Sequence, residues 1–285
     1  MEFEHVLVVG AGQMGGGIAQ VVAASGRRVS LHDAAPGAVD HALETMRRSL
    51  AKLADKGGPD PDEVLARVEP AGDLVPADLL IEAVVEDLAV KELIFRRADD
   101  LLPAGAVLAS NTSSIPIASL AAATTRPERV CGLHFFSPVP VMRLVELVVG
   151  LDTSLETIAA AEGFAAQIGK HAIRTKDRAG FVVNFLLVPY LMSAVRMLED
   201  GFATREDIDE GMKQGCGHPM GPLTLCDLIG LDVLEAVCDS LYDEFKRPEY
   251  APPALLRRMS AAGRLGRKSG RGFYDYAAER QAVPA

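Results

Sequence analysis

Cysteine is scarce. Four occur in 285 residues, at Cys131, Cys216, Cys226 and Cys238, and no two have the CxxC spacing of a zinc or redox site. That is too few for a disulfide scaffold, so buried, reduced thiols are expected and no metal. Basic charge is also short: 29 Lys and Arg stand against 39 Asp and Glu, a formal net charge of -10. This argues against a nucleic-acid binder, because phosphate neutralisation needs a basic surface. It speaks against anionic membranes too, but a local cluster of Lys and Arg could still hold a phosphorylated ligand. Apolar runs fall short of the ~20 residues that cross a bilayer. The longest uncharged run ends at Val195 and contains Asn184 and Pro189, which fits a buried helix. The start, Met1-Glu2-Phe3-Glu4-His5, is acidic and lacks a secretory n-region. A cytoplasmic protein is expected. No internal repeat of 20–50 residues and no low-complexity tract is found.

What is present is an alternation of two periods. Strand-like runs fall at 5–9, 28–32, 79–84, 107–109, 130–134, 144–149 and 172–175. Helix-like segments at 13–24, 90–102 and 154–168 separate several of them. Val39, Leu43, Met46, Leu50 and Leu53 recur at helical spacing and mark another amphipathic helix. Strands alternating with helices imply an α/β fold, a Rossmann-type, mainly parallel sheet covered on both faces. Beyond 177 the pattern becomes helical, at 181–200, 204–214, 222–229, 231–245 and 253–262, and Thr204 to Asp207 has the spacing of a capping box. Two domains are expected, at 1–177 and an all-helical one at 178–285.

Gly10-Ala11-Gly12-Gln13-Met14-Gly15 is a GxGxxG string set between an apolar strand and a helix rich in small residues, the context that makes it a dinucleotide site. Gly10 permits the tight turn, Gly12 lets a pyrophosphate approach the backbone, and Gly15 allows close helix–strand contact. The amides and dipole at the helix start then face the phosphates. Asp33 ends the second strand, where a carboxylate accepts from a ribose diol and repels a 2′-phosphate, and Ala34-Ala35 offers no arginine. NAD is expected over NADP.

Three further segments stand out: Ser110-Asn111-Thr112-Ser113-Ser114; His134-Phe135-Phe136-Ser137-Pro138 with Leu144-Val145-Glu146; and Gly180-Phe181-Val182-Val183-Asn184. With the glycine loop, their order and spacing resemble the L-3-hydroxyacyl-CoA dehydrogenase family, in particular its short-chain 3-hydroxybutyryl-CoA members. The resemblance covers essentially the whole chain, including His218-Pro219-Met220-Gly221-Pro222 and the tail from Gly266 to Tyr274. It implies NAD-dependent, reversible oxidation of the 3-hydroxyl of an acyl-CoA.

The residues agree with that chemistry. His134 ends a strand, at the carboxyl edge where open α/β sheets bind ligands. A neutral imidazole near pH 7 is suited to take an alcohol proton. Glu146, inside an apolar strand, is costly to bury unless paired, which makes it the candidate partner. The resemblance implies that Ser113 and Asn184 hold the substrate's 3-oxygen, that Glu86, Lys91 and Lys268 lie near the cofactor, and that Ser49 and Lys56 contact CoA. The last two are seven apart and are expected on one helix face. It also implies a homodimer through the helical domain. One departure is Ser137, where family members commonly carry Asn; this puts local substrate contacts in doubt. Two alternatives stay open: a hydroxyacyl unit carried by an acyl carrier protein, and an inactive structural or NAD-sensing relative.

Overall fold

Strand β1 (His5–Val9) is apolar on both of its faces, and both are buried: Val6 and Val8 point to one cluster of the core, Leu7 and Val9 to another. A strand of that kind needs cover on two sides. The same alternation recurs in β4 (Leu79–Glu82) and β5 (Val107–Ser110), where Leu79, Ile81, Val107 and Ala109 face the first cluster and Leu80 and Leu108 the second. This computed structural model describes residues 2–277.

The chain divides into two units, 1–181 and 182 onward. In the first, β1, β4 and β5 join β2 (Arg28–His32), β3 (Val68–Ala71), β6 (Val130–Phe135), β7 (Leu144–Val149) and β8 (His171–Lys176) in one sheet of order β3-β2-β1-β4-β5-β6-β7-β8. Every neighbouring pair is parallel except β6 and β7. Helices α1 (Gln13–Ala24), α2 (Ala38–Ala54) and α6 (Leu155–Gln167) bury Ile18, Val22, Met46, Leu50 and Phe164 on one face. Helices α4 (Leu88–Leu101) and α5 (Ile117–Ala121) bury Phe95, Ala98 and Leu120 on the other. The direction of strand succession reverses between β1 and β4, which opens a crevice at their carboxyl ends.

Sequence periodicity missed α3 (Pro61–Leu65), β3 and α5. Strand β3 holds Pro70 and exposes Glu69, tolerable because it lies at the sheet edge, where one side needs no N–H. Helix α3 is a single turn begun by Asp60, whose carboxylate accepts from the amides of Asp62 and Glu63.

The second unit holds α7 (Val183–Glu199), α8 (Arg205–Cys216), α9 (Pro222–Ile229), α10 (Leu231–Phe245) and α11 (Ala254–Ala261). Thr204 caps α8 through the amide of Asp207, as the spacing predicts. Asp227 of α9, 1% exposed, fastens the tail: it accepts from the amides of Phe273 and Tyr274 and from the Tyr276 hydroxyl. Gly272 is obligatory there, since a Cβ would lie 1.9 Å from the Asp227 carboxylate. Helix α7 starts at Val183, two residues later than the apolar run suggests, because Gly180 and Phe181 both have positive φ, 74° and 47°. The final residues of the expected domain, 278–285, lie outside the described residues. Among the described residues no helix is long and apolar enough to cross a membrane.

Candidate active site

The glycine loop links β1 to α1. Gly10 has φ +100°, and a Cβ there would sit 2.4 Å from the Ala83 carbonyl oxygen beyond β4, so no other residue fits. Gly15 is closed off by the Gly10 carbonyl, 1.7 Å from an added Cβ. Gly12 differs: a Cβ would meet nothing within 4 Å, and its φ of -69° is ordinary. The space above Gly12 is open, and no side chain caps α1 and no acid occupies its first turn. The helix therefore offers backbone amides and a positive end to an anion. Asp33 follows β2 and accepts from the amides of Ala11, at 2.7 Å, and Ala35, at 2.8 Å. It thus fixes the loop to the end of β2. Gln13 donates to the Ser137 hydroxyl at 2.8 Å, tying this loop to the segment after His134.

His134 and Glu146 are directly opposite in the antiparallel pair β6–β7. His134 Nδ1 lies 2.7 Å from Glu146 Oε2, with Glu146 fully buried and His134 7% exposed. A carboxylate only accepts, so in this contact Nδ1 is the donating nitrogen and Nε2 is the one turned away from Glu146. Phe136 and Phe181 flank the imidazole, with ring centroids at 4.7 and 5.4 Å. Such an arrangement can take up a proton at the imidazole with an acid already beside it.

A second polar cluster occupies the ends of β4 and β5. Glu82, 0% exposed, accepts from Lys91 and from the Val84 amide, each at 2.7 Å, and from the Ser110 hydroxyl at 2.6 Å. Lys91 also meets Glu86, at 3.1 Å. Glu86 in turn accepts from the Thr112 and Ser114 hydroxyls and from the amides of Ser113 and Ser114. Burial opposes ionisation of Glu86, but Lys91 and these donors together hold its carboxyl below the ordinary value. Lys91 is 1% exposed, not a solvated surface charge. Ser113 is half-buried on the loop that Glu86 anchors.

The remaining residues singled out in the sequence are more scattered. Asn184 is the second residue of α7, inside its first turn and not one turn in as a helix from 181 would have it. Lys268 pairs with Asp232 at 2.7 Å in the second unit. Ser49 lies in α2, but the helix ends at Ala54 and exposed Lys56 falls in the turn beyond it. The two therefore share no helix face, contrary to the spacing argument. Sequence reasoning missed Glu82, Ser110 and Asn111, the last of which accepts from the Phe135 amide at 2.8 Å and steadies the strand end beside His134. An acid closing the apolar run Leu79-Leu80-Ile81 was the available signal for Glu82. Lys170, buried just before β8, donates to the Val139 and Met142 carbonyls and so holds the β6–β7 loop.

Comparison with known proteins gives a consistent picture. Residues 5–178 match the family described as 3-hydroxyacyl-CoA dehydrogenase, NAD binding domain. Residues 180–276 match 3-hydroxyacyl-CoA dehydrogenase, C-terminal domain. The chain is 51% identical over 281 residues to a 3-hydroxybutyryl-CoA dehydrogenase of Mycobacterium tuberculosis, covering 96% of this chain and 98% of that one. Among solved structures, M. tuberculosis FadB2 superposes with a TM-score of 0.94 at 50% identity, over 97% of this chain and all of the other. The (S)-3-hydroxybutyryl-CoA dehydrogenase PaaH1 of Ralstonia eutropha gives a TM-score of 0.90 at 45% identity, covering 96% and 99%.

Proposed function

The chain belongs to the 3-hydroxyacyl-CoA dehydrogenase family, and from that premise we propose how its own residues oxidise a 3-hydroxyacyl thioester. It is an NAD-dependent oxidoreductase acting on a CH–OH group. The substrate is a short 3-hydroxyacyl-CoA, 3-hydroxybutyryl-CoA by the names its relatives bear. The observation that carries the mechanism is the buried His134–Glu146 pair.

The glycine loop fits the cofactor: open space above Gly12, an uncapped α1 start and the Asp33 carboxylate are what a dinucleotide requires. When bound, NAD supplies the acceptor for the hydride that leaves C3. Gly10 to Gly15, including the backbone of Ala11, Gln13 and Met14, hold the phosphates, and Asp33 reads the ribose. Nε2 of His134 takes the proton of the 3-hydroxyl. Glu146 keeps the Nδ1 proton and balances the imidazolium that results, which lowers the cost of charging a ring among Phe136 and Phe181. Ser113 and Asn184 hold the 3-oxygen. Glu86 and Lys91 set the loop that bears Ser113, and Lys268 is assigned to the cofactor. Ser49 and Lys56 are assigned to the CoA moiety. Ketone reduction runs through the same groups in reverse.

We further propose a homodimer formed through the helical unit, supported by exposed Leu186 and Phe202, at 67% and 79%. A reducing, cytoplasmic setting is supported by four unbridged thiols. The deciding assay follows NADH absorbance with acetoacetyl-CoA, with the same acyl unit on an acyl carrier protein, and with NADPH replacing NADH. Turnover is expected with the CoA thioester and NADH. Turnover only on the carrier protein, or none at all, would reject the reading.

A further inference from the structure

The Glu82–Lys91–Glu86 triad carries two carboxylates and one ammonium. Glu82 meets donors only: the Lys91 ammonium, the Val84 amide and the Ser110 hydroxyl surround its oxygens. The Ser110 oxygen itself accepts from the Thr112 amide, so its proton is committed to Glu82. Glu86 likewise faces donors, two of them backbone amides. No second cation is bonded to either acid among the described residues. The cluster therefore sets two acids against one base, with Glu82 and Lys91 buried and Glu86 at the rim, 37% exposed, where a charge is partly screened but still felt over several ångströms.

Its position gives that charge a target. Asp33 lies at the end of β2, on one side of the β1–β4 crevice, and it marks the half that takes the adenosine ribose. The triad lies at the ends of β4 and β5, on the other side, toward His134 at the end of β6. The opposite half of the dinucleotide is the nicotinamide, a cation in NAD+ and neutral in NADH.

We propose that the Glu82–Lys91–Glu86 triad is a positioning cluster whose net negative charge makes the site favour oxidised over reduced cofactor. This deepens the cofactor reading above and rests on it. Lys91 keeps the two acids from repelling each other, and the remaining charge discriminates between the two redox forms of one ligand that are otherwise nearly identical in shape.

The test is to titrate NAD+ and NADH calorimetrically into the protein and into Glu82→Gln and Glu86→Gln variants, at one pH and ionic strength. Each variant neutralises the triad. The ratio Kd(NAD+)/Kd(NADH) is expected to rise roughly three- to tenfold, the scale of one unit charge across a partly screened site. Loop damage alone would weaken both forms together and leave the ratio unmoved. Glu86, 37% exposed on its side chain, gives a variant that tolerates substitution if Glu82→Gln does not fold. An unchanged ratio in the folded variants would overturn the proposal even though the protein binds cofactor. Failure of the unmodified protein to bind either form would remove the cofactor reading, and this proposal with it.

Discussion

Glu146 stands opposite His134 on adjacent antiparallel strands, with 2.7 Å between Oε2 and Nδ1. The bond orients the ring and supplies its countercharge, two effects that substitution can separate. His134→Gln should lower kcat on the order of 10²–10⁴-fold, the range of general base catalysis, with NAD affinity by calorimetry nearly intact. Glu146→Gln keeps an acceptor oxygen but no charge, and should also act on kcat more than on KM. Near-full turnover of the His134 variant would remove it as the base.

The glycines of the loop should fail in different ways. Gly10→Ala forces a Cβ against the Ala83 carbonyl at φ +100°, and strain of this kind costs roughly 1–3 kcal/mol. Thermal denaturation should show it directly. Gly12→Ala has open space and ordinary φ, so Tm should hold while NAD binding weakens. Equal loss of Tm in both variants would contradict the assignment of that space to the cofactor.

Asp33 serves the loop and the ribose together. Asp33→Ala should cost about 1–3 kcal/mol, because the Ala11 and Ala35 amides lose a charged acceptor. It should also raise relative turnover with NADPH. Cofactor selectivity that stayed fixed would leave Asp33 with a structural role only.

Glu86 links pH to stability. Its carboxyl titrates below the ordinary 4.5 in the folded chain, so the unfolded chain binds its proton more tightly. The stabilisation is present above pH 4.5 and is lost as pH falls through the lowered folded value. Urea unfolding of Glu86→Gln should therefore show a deficit against the parent near pH 7 that narrows in acid. A deficit that widened in acid would reverse the sign argued here.

The exposed Leu186 and Phe202 offer a test of assembly. Sedimentation of the parent should give a dimer, and a Leu186→Asp, Phe202→Asp double variant a lighter species. A monomeric parent would end that proposal.

Much of this was legible before any coordinates. Strands β1 and β2 and helix α1 follow from an apolar run, a GxGxxG turn and a small-residue helix, because each signal is local. Glu146 could be read because an acid inside an apolar strand demands a partner. Lys91 could not: its partners Glu82 and Glu86 become neighbours only when β4 and α4 are placed together, and in sequence it passes for a surface charge. Lys56 was misplaced because periodicity gives no end to a helix; Lys56-Gly57-Gly58 terminates α2, with Gly57 at φ +83°. The antiparallel turn of β6 into β7 likewise leaves no mark in a hydrophobic pattern.

That turn joins the buried His134–Glu146 pair to a segment held from elsewhere in the unit. Backbone pairing sets the imidazole opposite the acid, while the connecting residues Ser137 to Arg143 are secured separately, by Gln13 at one end and by Lys170 further along. Substitutions from Ser137 to Arg143 are thus expected to leave the His134–Glu146 pairing in register, whereas Phe136, packed on the imidazole, is not free to change. The strand pair and its connector answer to different anchors, and a change in one need not travel to the other.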